Sequence, residues 1–194
     1  MITLTPPITE EQARSLKSGD VVKINGIIYT ARDRAHQFLL EEAEPETLPI
    51  NLDGGVIYHC GPVVQKEGDE WKVVVAGPTT SARMNPYTPK VLEKYHPRLI
   101  VGKAGMDDDV QEALAKNGAV YGAATSGAAV VLAKTIKKVH SGYKQEEFGT
   151  PECFWELEVE GFEVIITMDS HGNSLHKEIL AKSKAKRDEL ISKK

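Results

Sequence analysis

Directly after the apolar run Val73-Val74-Val75-Ala76, the chain reads Gly77-Pro78-Thr79-Thr80-Ser81-Ala82-Arg83-Met84-Asn85-Pro86. Three consecutive hydroxyls and an arginine at a strand end make a loop rich in donors, and binding loops favour strand ends. Arg83 can grip a carboxylate through a planar two-point contact while Thr79, Thr80 and Ser81 orient the rest of a small polar acid. A purely structural reading stands beside this one: a turn whose hydroxyls cap the first N–H groups of a helix.

Two other segments carry positive charge in suggestive places. Arg32-Asp33-Arg34-Ala35-His36 surrounds one acidic residue with two arginines and a histidine, and Arg32 and His36 are four apart, a spacing that allows a shared helix face. This is a second anion-binding candidate, with surface salt bridging as the plainer alternative. Gly102-Lys103-Ala104-Gly105-Met106 follows the apolar Leu99-Ile100-Val101 and presents one ammonium on a flexible backbone. It lacks the GxxxxGK[ST] nucleotide pattern, so its readings are a lysine that binds a small anion or a solvated lysine.

The elements that must position these residues are partly legible. Thr9-Glu10-Glu11-Gln12 has capping-box form and predicts a helix over 9–17. Val21 to Ile24, Asn25-Gly26 and Ile27 to Thr30 predict a β-hairpin, because Asn-Gly accepts positive φ in a two-residue turn. Helical spacing of Ala35, Phe38, Leu39 and Ala43 predicts a helix over 33–42. Strands are expected at Gly55 to Cys60 and Trp71 to Ala76, with a turn over Gln65 to Glu70 between them.

Further along, Leu99 to Val101 and Ala119 to Tyr121 read as strands flanking a helix from Asp107 to Lys116 that stops before Gly118. Gly127 to Lys134 reads as an apolar helix. Strands follow at Ile136 to Val139, Phe154 to Val159 and Val164 to Met168, then a Lys/Glu-rich amphipathic helix over about 175–194. More strands than helices and a hairpin do not suit a simple doubly wound parallel sheet, so the expected class is α/β with a mixed sheet in a single domain spanning 1–194. Phe148 to Leu157 concentrates aromatic bulk suited to a core or an interface, and Asp169 with His171 sits in a polar loop that turn chemistry explains.

Composition narrows the function classes. The chain has 194 residues, 24 Lys+Arg against 28 Asp+Glu for a net charge of −4, and 41% apolar residues, enough for a sizeable core. A mildly acidic chain does not suit nucleic acid, which requires a basic face. No stretch approaches the roughly 18 apolar residues of a membrane span, and the opening MITLTPPITEEQ has no signal-peptide pattern, so a cytoplasmic location is expected. Only Cys60 and Cys153 are present, without metal-site spacing, so no metal-ligating set is expected and both read as buried small apolar residues.

Taken together, GPTTSARMNPY, TARDRAH, IYHCGPVV, VGKAGM, FGTPECFWELEV and DSHGNSL resemble the β-type half of the class I iron–sulfur hydro-lyases, the fumarate hydratase and L-tartrate dehydratase family. The resemblance runs from about Leu16 to about Leu175, in order. It implies a swivelling β/β/α domain and a separate small subunit of a hetero-oligomer. The family's [4Fe–4S] cluster is held by three cysteines of an α-type region that this chain lacks, which would make this chain half of an active site completed by an α subunit.

The implied reaction is reversible removal of water from a small 2-hydroxy dicarboxylate, with (S)-malate and fumarate as the leading pair and MNPY as the feature that favours them. L-tartrate dehydration, another dicarboxylate such as mesaconate, and a non-catalytic dicarboxylate-binding domain are the alternatives. By motif match, Arg32, Thr80, Arg83 and Lys103 correspond to substrate-binding positions and Thr79 to the proposed base, a role for which a threonine needs help from a neighbouring carboxylate, expected from the α subunit. His36 and Ser81 correspond to supporting positions, His36 behind Arg32. GKAGM stands where GKGGM is more usual, so Ala104 restricts a backbone that glycine would leave free, and Asn85 stands where an acidic residue is also common.

Overall fold

A computed structural model describes residues 2–192. Its elements run β1 (Ile2–Leu4), α1 (Glu10–Ser15), β2 (Val21–Thr30), α2 (Asp33–Glu41), β3 (Val56–Tyr58), β4 (Val63–Glu67), β5 (Glu70–Val75), α3 (Thr88–Tyr95), β6 (Leu99–Gly102), α4 (Asp108–Asn117), β7 (Val120–Ala123), α5 (Ala129–Thr135), β8 (Ile136–Tyr143), α6 (Gln145–Phe148), β9 (Phe154–Met168) and α7 (Leu175–Ser192). Short 3-10 turns occupy Pro45–Thr47, Ser81–Met84 and Ser126–Ala128.

Strands β2, β3, β6 and β7 pair in parallel, and β9 runs antiparallel to both β7 and β2. Five strands therefore close on one another, with β1 and β8 added at the sides and β4–β5 as a separate hairpin. This is the mixed α/β class expected. Alternation along each strand feeds two cores. Val22, Ile24, Tyr58, Val101, Trp155 and Phe162 belong to one, while Ile57, Ile100 and Tyr121 face the other, where they meet Phe38, Leu92 and Leu114 of α2, α3 and α4.

Several local expectations hold. Thr9 Oγ1 accepts from the Gln12 amide at 3.1 Å and Gln12 Oε1 accepts from the Thr9 amide at 2.9 Å, which closes the capping box. Gly118 ends α4 in the left-handed region at φ +61°.

The Asn25-Gly26 hairpin is corrected. β2 runs straight through these residues, and Gly26, at φ +110°, makes a bulge instead of a turn. The cause is long-range: β9 pairs along the length of β2, and Asn25 Oδ1 accepts from the Gly161 amide at 2.7 Å. The two strands expected at Phe154 to Val159 and Val164 to Met168 are accordingly one strand that carries Gly161 within it. The expected turn over Gln65 to Glu70 is narrower, since β4 extends to Glu67 and β5 begins at Glu70.

The C-terminal helix is present over Leu175–Ser192, with residues 193–194 outside the described part, but it is not amphipathic in the expected sense. None of its residues is buried, and Ile179, Leu180, Leu190 and Ile191 are exposed, so it has no covered apolar stripe. No helix among the described residues is long and apolar enough to cross a membrane.

Candidate functional site

The parallel strands β2, β3 and β6 end on the same side, and their continuations bring up Arg32, His59 and Lys103 respectively. The segment after β5 is laid into the same end. Pro78 bridges to Cys60, the Thr79 amide donates to the His59 carbonyl at 2.8 Å, and Thr80 bridges to Lys103. From there the Ser81–Met84 turn delivers Arg83 to the start of α2. The hydroxyl-arginine loop, the Arg32 segment and the Lys103 loop therefore converge, although Arg32 and Thr79 are 47 positions apart in sequence and Arg83 and Lys103 are 20 apart.

Two of the three cations are already engaged by carboxylates. Arg83 Nε donates to Asp33 Oδ1 at 3.1 Å and Nη2 donates to Asp33 Oδ2 at 2.8 Å, while Nη2 also donates to Thr79 Oγ1 at 3.2 Å. Burial raises the Asp33 carboxyl pKa, but the hydrogen bond and charge of Arg83 outweigh it and the net shift is downward. The expected two-point edge of Arg83 is thus held by Asp33, and Nη1 is the amino group turned to no protein partner among the described residues. Arg32 Nη2 pairs with Glu152 Oε1 at 3.0 Å, and Glu152 Oε2 accepts from the Arg34 amide at 3.1 Å, so one carboxylate from a distant loop both holds Arg32 and caps α2. A side chain at Gly61 would collide with Arg32 Nη1, which keeps that position free of a Cβ. Lys103 is exposed and has no ion pair among the described residues.

A fully buried layer supports this surface. Ser81 Oγ accepts from the Lys103 amide at 3.0 Å and from Tyr121 OH at 3.0 Å, and it lies 2.9 Å from His59 Nδ1. Having accepted twice, Ser81 has its own proton to give, so His59 Nδ1 is the acceptor and Nε2 carries the ring proton. Gly102 makes room for this arrangement, since a Cβ there would strike Ser81, Tyr121 and His59. His36 Nδ1 lies 2.8 Å from the Arg32 carbonyl, which can only accept, so the His36 proton sits on Nδ1.

The His36 and His59 rings meet edge to face at 5.2 Å between centroids. Burial pushes His36 down to about 4 and His59 well below its ordinary value, so both are neutral at pH 7. His36 Nε2, His59 Nε2, Arg32 Nε and Asn85 Oδ1 are buried without a protein partner, a concentration of unsatisfied polar atoms in the segments that build the site.

Of the residues singled out in the sequence, Arg32, Thr79, Thr80, Arg83 and Lys103 come together, and His36 and Ser81 lie buried behind them. The shared Arg32–His36 face is corrected: His36 is fully buried and supports the Arg32 backbone instead of presenting its ring beside the guanidinium. The helix-capping reading of the hydroxyls also fails, because Thr80 precedes the Ser81–Met84 turn without making a side-chain cap. Asp169 is used up by the Ser18, His171 and Asn173 amides, and Phe154 and Trp155 are core. Cys60 and Cys153 are buried free thiols, each pushed up to about 12 with burial as the main cause.

Asp33, His59 and Glu152 were not selected from the sequence. Each lies in a segment that carries the resemblance, Asp33 in TARDRAH, His59 in IYHCGPVV and Glu152 in FGTPECFWELEV. Nothing local marked Asp33 or Glu152 as supports, because the partners lie 50 and 118 residues away.

Comparison with known proteins points the same way. The family model described as the fumarase C-terminus matches residues 1–179. A protein of Geobacillus stearothermophilus, provisionally named fumarate hydratase class I, is 49% identical over 180 residues, covering 92% of this chain but 34% of the relative. A Methanocaldococcus jannaschii protein, provisionally named L(+)-tartrate dehydratase subunit beta, is 44% identical over 186 residues and 95% of both chains. The L(+)-tartrate dehydratase subunit beta of Escherichia coli is 36% identical over 173 residues, 89% of this chain and 85% of that one. The chain thus spans about a third of the first of these relatives and nearly all of the second.

Proposed function

The chain belongs to the fumarase C-terminus family, and from that premise we propose that it is the β-type subunit of a two-subunit hydro-lyase that interconverts malate and fumarate. The observation that supports this reading best is the convergence of Arg32, Arg83 and Lys103 with the Thr79 hydroxyl at one end of the parallel strands. Removal of water from a 2-hydroxy dicarboxylate needs cations to hold two carboxylates and a group to take a proton from the carbon next to the hydroxyl-bearing one. As that proton leaves, charge gathers on the adjacent carboxylate, where fixed donors stabilise it most.

In this reading Lys103 and the Nη1 group of Arg83 take substrate carboxylate oxygens, Arg32 supplies the further cation, and Thr80 adds a hydroxyl contact. Thr79 takes the carbon-bound proton. Its Oγ1 accepts from Arg83 Nη2, and a guanidinium beside the oxygen favours the deprotonated form. A carboxylate of the partner would first take the Thr79 hydroxyl proton, which leaves that oxygen free to accept the carbon-bound one. Ser81, with His59 and Tyr121, fixes the loop that carries Lys103, and His36 fixes the Arg32 backbone.

The family's iron–sulfur cluster does not fit this chain's own residues. Both thiols are buried and held protonated, and no set of three or more His, Cys, Asp or Glu side chains among the described residues is disposed to hold a metal. We assign the cluster to an α subunit, where it would supply a Lewis acid to the leaving hydroxyl.

L-tartrate dehydration is the second reading, favoured by the relatives of matching length, which are named tartrate dehydratase subunits. An anaerobic assay of the chain, alone and coexpressed with its candidate α subunit, with malate and L-tartrate offered in parallel, separates the readings. Activity in the complex alone with malate preferred by kcat/KM supports the proposal, and a preference for tartrate replaces it with the second reading. A chain that binds dicarboxylates by itself and forms no complex is a binding domain.

A further inference from the structure

We propose that Asp33 is a positioning residue, which fixes the Arg83 guanidinium so that one amino group faces Thr79 and another faces the ligand. The inference rests on the functional reading above and assigns a role to a residue that neither the motif match nor the spacing of charges had singled out.

The geometry is specific. Asp33 is the first residue of α2 and Arg83 lies in the Ser81–Met84 turn, and their contact is a two-point fork of 3.1 and 2.8 Å on the Nε–Nη2 edge. A fork of this kind fixes the plane of a guanidinium as well as its place. With that edge occupied, the second Nη2 proton is directed to Thr79 Oγ1 at 3.2 Å, and both Nη1 protons remain for a carboxylate. Arg83 is otherwise a half-exposed side chain on a short turn, free to sample several rotamers. Asp33 also neighbours Arg32, so it joins the two arginine segments into one unit.

An exposed ion pair of this kind adds little to folding, so its use is in orientation. A carboxylate that only competed with the ligand for Arg83 would behave in the opposite way, because its removal would strengthen binding.

The test is a double-mutant cycle in the assembled α–β complex, with the preferred dicarboxylate. Asp33→Asn, which keeps the shape and removes the charge, is expected to lower kcat at least about tenfold with a smaller change in KM, and Asp33→Glu to recover part of the loss. In an Arg83→Ala background, Asp33→Asn should change kcat less than about twofold, since the guanidinium it orients is gone. Wild-type kcat in Asp33→Asn, tighter binding in that variant, or an undiminished loss in the Arg83→Ala background overturns the proposal.

A second readout does not need activity. The Nε–H proton of Arg83, assigned by its absence in Arg83→Ala, should give a resonance protected from exchange in the wild-type chain and unprotected in Asp33→Asn. A complex that turns over neither malate nor tartrate sinks the functional reading alone, and the resonance then decides on Asp33: protection unchanged by Asp33→Asn overturns the pairing.

Discussion

The core around Trp155 and the corner around Arg83 are built on the same strands under opposite rules. Trp155 is fully buried, its indole N–H donates to the Thr150 carbonyl at 2.8 Å, and Trp71 meets it edge to face at 5.4 Å. At the strand ends, by contrast, buried polar atoms go without partners, a non-glycine residue takes a left-handed conformation at Ala104, and Lys103 stands exposed. Around Trp155 the buried indole N–H is satisfied, while orphaned polar atoms occur at the corner and also at Gln111, Thr167, Ser170 and His176. At the corner those atoms gather beside Lys103, Arg32 and Arg83, which suits the ligand-binding role proposed for it.

The sharpest way to break this contrast is one substitution on each side. Trp155→Ala should cost about 3–5 kcal/mol of unfolding free energy in denaturant titration, through lost burial and a residual cavity. Arg83→Ala should leave stability within about 0.5 kcal/mol and reduce kcat/KM in the complex by about 10²- to 10³-fold. Unfolding of the arginine variant, or unchanged kinetics, would make the corner structural after all.

His36 lies between the two regimes, since it is buried like the core and half-satisfied like the site. Its folded-state pKa of about 4 is below the ordinary 6.5, so the unfolded chain binds its proton more readily. This contribution to stability is complete above pH 6.5 and is lost as the pH falls toward 4, amounting to about 3 kcal/mol. His59 adds in the same direction. The lowered carboxyls of Asp33 and Asp169 act at more acid pH, below roughly 5. Unfolding free energy measured from pH 7 to pH 4 should therefore fall, and His36→Gln should flatten the upper part of that decline. An unaltered slope in the variant would show that His36 is not buried in the neutral form.

The same division explains what could be read from the sequence. Thr9 with Gln12 and the glycine at 118 were legible because a cap is closed within a few residues. Asn25-Gly26 misled because the signal for a positive φ is local, whereas the choice between a turn and a bulge was made by β9, more than a hundred residues on. At the corner, the residues proposed to face the ligand stood out as motif and charge. Their supports did not, since Asp33, His59 and Glu152 matter only through partners that the fold brings to them.

Thr79 tests the contrast within the corner itself. Its hydroxyl makes one long contact, to Arg83 Nη2 at 3.2 Å, and contributes little to folding. Thr79→Val keeps the branched shape, so stability should be unchanged within about 0.5 kcal/mol, while kcat should fall about 10²-fold if the hydroxyl takes the proton. A rise confined to KM would make Thr79 a binding residue and move proton abstraction to the partner subunit.

The smallest expected effect sits in the Lys103 loop. Ala104 adopts φ +61°, a conformation that costs an alanine about 1 kcal/mol and a glycine almost nothing. Ala104→Gly relieves that strain but frees the unfolded chain by about 0.4–1 kcal/mol, so the two terms nearly cancel and unfolding free energy should rise by at most about 0.5 kcal/mol. Because the Ser81 bond to the Lys103 amide holds the loop from beneath, the released strain should not move the lysine. KM for the dicarboxylate should then stay within about twofold of wild type; a larger change would mean that the alanine itself sets the path of the loop, and that strain at this corner is tuned to the ligand.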